Sequence, residues 1–391
     1  MTWTVYDMSN SGIPENNVKS LAIDQQKRKW IGTDNGLAVF NDTSWVIYNT
    51  SNSGLPDNTV IAVVPDHNGN IWIGTMQGGL TKFDGTNWQT WNTSNSGLPN
   101  DFVRAVAFDS TGNIWIGTSD GLVKYDGNNN WQVWDFNNSP LLSTNITSIV
   151  IGNNNVKHFA TINGGMYDFN DTTFSIYTIA YTGIPDNSAV RVQRDTLNNR
   201  WYASPAGGLM IHYDFNYWSW FNTLNSGIGS NALTYVTIDS LDQKYLCSMQ
   251  RGLIRFTPPG TWVIYDTASS PMPDVYTQCV EKENNHIVWV GTREKGLVRI
   301  DENPSGIADN TAENMKYAVF PNPAQPGRTL SFNEDMNISA LNLYDVSGKF
   351  IDRLNVQYNS FILPADLTSG LYFVECTGND GQLIRMRFMV Q

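Results

Sequence analysis

Four histidines are the only side chains here that ordinarily titrate near neutral pH, so their placement bears on whether acid–base catalysis is open to the chain. His67 and His286 fall in turn-like Asp/Asn-rich stretches, His158 stands where other segments carry Trp, and His212 lies in an apolar run. No convergence of the four is implied. HExxH, phosphate-loop and dinucleotide glycine patterns are missing, and general acid–base or nucleophilic catalysis needs such groups brought together. The reading is therefore not an enzyme. Cys247, Cys279 and Cys376 are odd in number and show no CxxC or Cys/His spacing; buried free thiols are expected rather than a disulfide framework or zinc site. Asp66-His-Asn-Gly-Asn70 starts like a calcium loop but lacks the distal Glu and the twelve-residue length, so a hairpin turn is expected. No metal and no cofactor are expected.

The aromatic residues point to architecture instead. Trp30, Trp72, Trp115, Trp201 and Trp289 could stack on sugars, but they hold one place in a repeat and are expected as core between repeats. A Gly-Leu or Gly-Met pair ends at Leu37, Leu80, Leu122, Met166, Leu209, Leu253 and Leu297, every 42–44 residues. A second mark recurs in step at Trp3, Trp45, Trp88, Trp131, Phe174, Trp218 and Trp262. A fixed period of this size means a repeat architecture. One unit runs Val60–Val64, a turn, Ile71–Thr75, Gly79–Phe83, a turn, then Trp88–Trp91; four short β-prone runs between Asp/Asn/Gly turns make a four-stranded antiparallel sheet. Such a sheet is marginal alone, and seven packed around an axis bury both faces of each. The fold class is all-β, a seven-bladed β-propeller of four-stranded blades over residues 1–303.

The repeat is out of phase with the chain. Residues 3–6 form a fourth strand with no first three, and the repeat ends after Leu297–Ile300 with no fourth. Pairing the two closes the last blade and covers an edge that would otherwise expose hydrogen-bonding groups.

Composition agrees with this and bounds partners. The 391 residues are 12% aromatic and only 15% charged, with a net charge of -12 from scattered Asp and Glu, which disfavours nucleic acid. No apolar run reaches the roughly 18 residues of a membrane-spanning helix. Function is expected where the repeats disagree, in the loops between second and third strands that ring one rim. The candidate ligand-binding residues there are Asp34, Asn35, Met76, Gln77, Ser119, Asp120, Asn163, Gln250, Arg251, Arg293, Glu294 and Lys295. Arg251, Arg293 and Lys295 place one basic sector on the last two blades.

The pattern Trp-Ile-Gly-Thr-x-x-Gly-Leu, with Ser-Asn-Ser-Gly-Leu-Pro before the next strand, resembles the two-component regulator propeller repeat over residues 3–303. The resemblance implies a propeller of the kind found in periplasmic sensors of hybrid histidine kinases, often in glycan-using Bacteroidota. With no spanning helix, kinase region or DNA-binding region in the chain, the signalling function is not carried over.

Residues 304–315 lose the repeat and read as a linker. Tyr317–Pro323, Leu341–Lys349, Leu367–Val374 and Ile384–Val390 then alternate apolar and polar residues, as in a small Ig-like β-sandwich over 316–391. The Phe-Pro-Asn-Pro start, the Tyr-Asp-x-x-Gly-Lys hairpin, the Gly-Leu-Tyr-Phe-Val strand and the basic-apolar end resemble the type A C-terminal sorting domain of type IX (Por) secretion cargo. That implies the secretion machinery as a partner and a secreted or outer cell-surface location. Such cargo first needs a Sec signal; Met1–Tyr6 shows none, so a trimmed leader is expected. The function expected is a noncatalytic propeller that binds a glycan or protein at the cell surface. Two alternatives are a polysaccharide lyase or hydrolase using Asp34, Asp120 or Glu294, and a stand-alone ligand sensor for a separate kinase.

Overall fold

In a computed structural model of the chain, residues 1–214, 216–258, 260–302, 319–320, 324–332, 338–345, 349–357, 360–378 and 383–390 are described. The expected linker 304–315 lies outside the described residues, as do 317–318 and 321–323 of the following segment. The chain divides into two compact units, Met1–Ser305 and Gly306–Gln391.

The first unit is a seven-bladed β-propeller. Blades I to VII are four-stranded antiparallel sheets whose first strands are Val18–Ile23, Val60–Pro65, Val103–Phe108, Ile146–Ile151, Arg191–Arg194, Leu233–Ile238 and Thr277–Lys282. These first strands adjoin one another in turn, with blade VII beside blade I, and so form the inner ring. Blade VII is completed by Thr2–Tyr6, which pairs with Leu297–Asp301 from Thr2↔Asp301 to Tyr6↔Leu297. Tyr6 then packs against Phe40 of blade I, with ring centroids 5.2 Å apart, and against Trp289 of its own blade at 5.8 Å.

The repeated residues have physical roles. Trp30, Trp115 and Trp289 are 2%, 0% and 0% exposed, so these rings are core and unavailable to sugars. In five blades the indole N–H donates to a carboxylate six residues earlier: Trp30 to Asp24 (2.8 Å), Trp72 to Asp66 (3.0 Å), Trp115 to Asp109 (3.0 Å), Trp201 to Asp195 (3.0 Å) and Trp289 to Glu283 (2.7 Å). The same carboxylates hold the hairpin: Asp66 also accepts from the Asn68 and Asn70 backbone, which is a turn, not a calcium loop. Three indoles floor the next blade, where Lys29, Lys157 and Lys244 lie buried over Trp289 (4.9 Å), Trp115 (4.4 Å) and Trp201 (4.1 Å). Each ammonium is paired outward, with Asp42, Asp171 and Asp242 respectively, so none of these three buried charges is left uncompensated. The glycine of Trp-Ile-Gly-Thr is a close-approach residue, since a Cβ on Gly74 would stand 2.5 Å from the Val103 carbonyl of the next blade.

The second unit holds two four-stranded sheets. One runs in the order Val319–Phe320, Thr329–Phe332, Ser360–Ile362, Val356–Gln357, the other Phe350–Leu354, Ile338–Asp345, Gly370–Gly378, Leu383–Val390. Leu330, Phe332 and Phe361 from the first and Leu341, Leu343, Val374 and Phe388 from the second share one core, the arrangement of a β-sandwich.

Candidate functional site

The loops between second and third strands and those leading into first strands meet on one face. In blade after blade the glycine before the third strand donates its N–H to the entry loop of the next blade: Gly36 to Asn58, Gly79 to Asp101, Gly165 to Asn187, Gly208 to Asn231, Gly252 to Val275 and Gly296 to Asn16. A second set ties the same loops to their own blade's entry, as in Met76 N–H to Thr59 and Arg293 N–H to Tyr276. The rim is thus a scaffold of recurring backbone bonds carrying tips that differ from blade to blade.

The candidate residues occupy those tips, and all except half-buried Ser119 are exposed. Asp34 accepts from Asn17 (2.6 Å) and pairs with Lys19 (3.2 Å), and Asn35 donates to the Pro14 carbonyl (3.4 Å). Asp120 accepts from Asn100 (2.8 Å), while the Ser119 carbonyl accepts from Thr144 (3.3 Å). The Gln77 and Glu294 backbones donate to Asp57 (2.8 Å) and Asp274 (3.0 Å), the same bond in blades II and VII. Asn163 exchanges hydrogen bonds with Ser188. Met76 and Gln250 present exposed side chains. Arg251 pairs with Asp266 (3.2 Å) and Arg293 lies 4.8 Å over Tyr276; Lys295 is exposed beside them in sequence, its backbone held by Thr292. Asp34 and Asp120 stand on separate blades, each already holding a side-chain amide.

One expectation is corrected on the opposite face: two histidines do converge. His158 of blade IV bonds Asp168, which also accepts from Tyr177 (3.1 Å) and from Arg200 of blade V (3.3 Å). Arg200 in turn meets His212 Nδ1 at 2.6 Å, whose Nε2 meets Asn216 Oδ1 at 3.1 Å and whose ring stacks on Trp218 at 4.5 Å. His158, Asp168, Tyr177, Arg200, His212 and Asn216 line a cleft of about 450 Å³ between blades IV and V. Burial, with the Arg200 guanidinium beside it, pushes the His212 pKa down to about 4. Desolvation opposes ionisation of Asp168, but the bond and charge of His158, with Arg200 and His212, hold its carboxyl below the usual range. Neither imidazole offers a nitrogen to solvent: both of His212 are engaged, and His158 Nε2 is buried without a partner. As arranged, the cluster is a polar junction between blades where others have aromatic fill.

The sequence carried a signal for this junction. Blade IV has Gly152 where its neighbours place the indole-binding Asp, and a Cβ there would come 2.2 Å from His158 Nε2. It has His158 for Trp, and Asp168 at the position of Lys82, Lys124, Arg255 and Arg299. Read separately these are substitutions; read through strand pairing they face Arg200 and His212 of the next blade. Arg104, on the inner ring, is one polar residue in the otherwise apolar strand Val103–Phe108, and Arg191 opens the inner strand of blade V.

Among the described residues, no helix is long and apolar enough to cross a membrane, and no group of His, Cys, Asp or Glu is arranged to hold a metal ion.

With this geometry in hand, comparison with known proteins is informative about fold. No curated protein matches the chain. The extracellular domain of a putative hybrid two component system from B. thetaiotaomicron is 21% identical with a TM-score of 0.67, matching 100% of this chain and 57% of its own. PorZ, described as an essential bacterial surface component of the type-IX secretion system of Porphyromonas gingivalis, is 16% identical with a TM-score of 0.66, matching 99% of this chain and 60% of its own. Virginiamycin B lyase from Staphylococcus aureus, 10% identical with a TM-score of 0.63, matches 77% of this chain. At these identities the likeness is one of fold, and the chain spans less than two thirds of the first two. Residues 54–77 and 97–120 match the two component regulator propeller model, and residues 318–391 match the secretion system C-terminal sorting domain. The chain therefore carries two component regulator propeller repeats and a C-terminal sorting domain of the type IX system, which assign it to the secreted or outer cell-surface proteins.

Proposed function

We propose that the chain is an exported, noncatalytic binding propeller of a Bacteroidota-type bacterium, which recognises a glycan or protein at the cell surface. In this reading residues 1–303 bind, 304–315 link, and 316–391 engage the type IX secretion machinery. The observation that carries it is the rim, where backbone bonds recur from blade to blade while exposed tips vary. A rigid frame with variable side chains is what a recognition surface needs, because the loops lose little freedom on binding. The basic tips Arg251, Arg293 and Lys295 are grouped on blades VI and VII of an otherwise acidic chain, and favour an anionic or hydroxyl-rich partner there. Asp34 and Asp120 are engaged by amides on different blades, which weighs against a shared acid–base pair.

A glycan array and a cell-surface pull-down with the full chain test the reading. A specific binder lost on replacing Arg251, Arg293 and Lys295 by Ala is the expected result. No binder in either format, or binding indifferent to all three replacements, would overturn the assignment of the rim.

A further inference from the structure

The inner ring encloses a central cavity of about 250 Å³, lined by the first strands of all seven blades. Most of the residues lining it are apolar or small, as in Leu21, Ala22, Val63 and Val106, although polar atoms supply the larger share of its surface. Against this wall stand Arg104 of blade III and Arg191 of blade V. Arg104 is the extra residue of a β-bulge between Val103 and Ala105, a device that re-aims a side chain out of the ladder. In blades IV, VI and VII the bulged residue is consumed in bonding the entry or first strand of the next blade: Thr147 to the Ala189 carbonyl (2.6 Å), Thr234 to the Thr277 carbonyl (2.7 Å) and Gln278 to the Val18 carbonyl (3.0 Å). Arg104 makes no such bond and has no carboxylate partner among the described residues; its guanidinium rests 4.1 Å over Phe102. Its Nε, like that of Arg191, is buried without a hydrogen-bond partner.

The remaining charges of the cavity are accounted for. Lys19 pairs with Asp34 at the rim (3.2 Å). Glu281 accepts from Tyr235 Oη (3.0 Å), and Arg191 lies 4.3 Å over that same Tyr235 ring. Burial pushes the Glu281 carboxyl up, with Arg191 and Tyr235 opposing it; burial alone draws Arg104 down. One guanidinium in the cavity thus has its charge unmatched, and a second has unused donor capacity. Guanidinium donors are arranged to take planar or tetrahedral oxyanions in pairs.

We propose that the central cavity is an oxyanion-binding site, in which Arg104 and Arg191 take a small carboxylate or phosphate, free or as the anionic group of a sugar. The site is separate from the basic tips of blades VI and VII and stands or falls apart from them.

The test is calorimetric titration of the full chain with inorganic phosphate and with D-glucuronate, using D-glucose as the neutral control. Saturable binding of either anion at one site, without binding of glucose, is expected. Arg104→Gln and Arg191→Gln should each weaken it by about tenfold, the loss expected for a charge-assisted hydrogen bond, whereas Arg251→Ala and Arg293→Ala should leave it unchanged. A purely structural role is separated by melting. Without anion Arg104→Gln should melt close to the parent, because no hydrogen bond or ion pair is lost and only the contact with Phe102 is weakened, and added anion should stabilise the parent more than the variant. If Arg104→Gln fails to fold, the Arg191→Gln and parent titrations decide. Failure of both anions to saturate the parent, or equal affinity in the variants, would overturn the proposal and leave the rim reading untouched.

Discussion

Ring closure by Thr2–Tyr6 lends itself to a quantitative test. Deleting residues 1–6 strips the fourth strand from blade VII and exposes the donors and acceptors of Leu297–Asp301 at an edge. It also removes three partly buried side chains: Val5, Trp3 beside Tyr265 at 5.8 Å, and Tyr6 against Phe40, Trp45 and Trp289. Full truncation of a buried aromatic costs about 3–5 kcal/mol. Scaling for half-burial leaves about 2 kcal/mol for each aromatic and about 1 kcal/mol for Val5, together about 5 kcal/mol. For a domain of this size about 2 °C is lost per kcal/mol, so the midpoint should fall by about 10 °C. Differential scanning calorimetry at one scan rate measures it, and Tyr6→Ala alone should give about two fifths of the drop. Limited proteolysis should then cut first in blade VII. A deletion variant melting within a degree or two of the parent would refute closure by this strand as a source of stability.

Other expectations follow from the same contacts. The His212 pKa is depressed in the fold, to about 4 from 6.5, so the unfolded chain takes up a proton first. The stability it contributes is complete above pH 6.5 and is lost as pH falls towards 4, about 3 kcal/mol in all. Depression of Asp168 acts in the same direction. Urea unfolding between pH 7 and 4 should therefore show a slope that is shallower in His212→Phe, and equal slopes would contradict the account. Asp109 accepts from Thr111, Asn113 and Trp115, so Asp109→Ala should cost about 3 kcal/mol in chemical denaturation. Asp239, the matching residue of blade VI, has Tyr245 in place of Trp, a partnerless Oδ2 and a carboxyl raised by burial; Asp239→Asn should cost under about 1 kcal/mol. Cys247 and Cys279 are wholly buried and burial drives both thiols up, so native protein should resist iodoacetamide at pH 8 and react in denaturant. Native labelling at either would contradict the packing.

The period-bearing residues made the propeller legible because each has a job that every blade repeats. Trp72 seals a blade junction, Gly74 admits the next blade's backbone, and Leu80 is buried behind the rim. Blade count followed from them, and so did strand number within a blade. The polar junction was harder to read, because it depends on contacts between unequal positions of successive repeats. His158 and His212 are 54 residues apart and occupy different strands, so comparing like with like hides their meeting through Arg200. The cavity arginines were obscure for a related reason. Arg104 sits in Val103–Phe108 as one polar residue among apolar ones, and only the bulge turns it towards the axis. The rim tips could be located from sequence, but their support could not, since Asn17, Asn100 and Ser188 reach them from loops that read as spacers.

The central claim is that the C-terminal unit delivers a binding propeller to the cell exterior. Its most direct test is protease shaving and fractionation of type IX-competent cells that produce the chain behind an added Sec leader, with and without residues 316–391. The account predicts that the propeller is recovered at the surface or in the medium only when 316–391 are present. It would be contradicted by the same external recovery without them, or by full-length protein retained inside the cell.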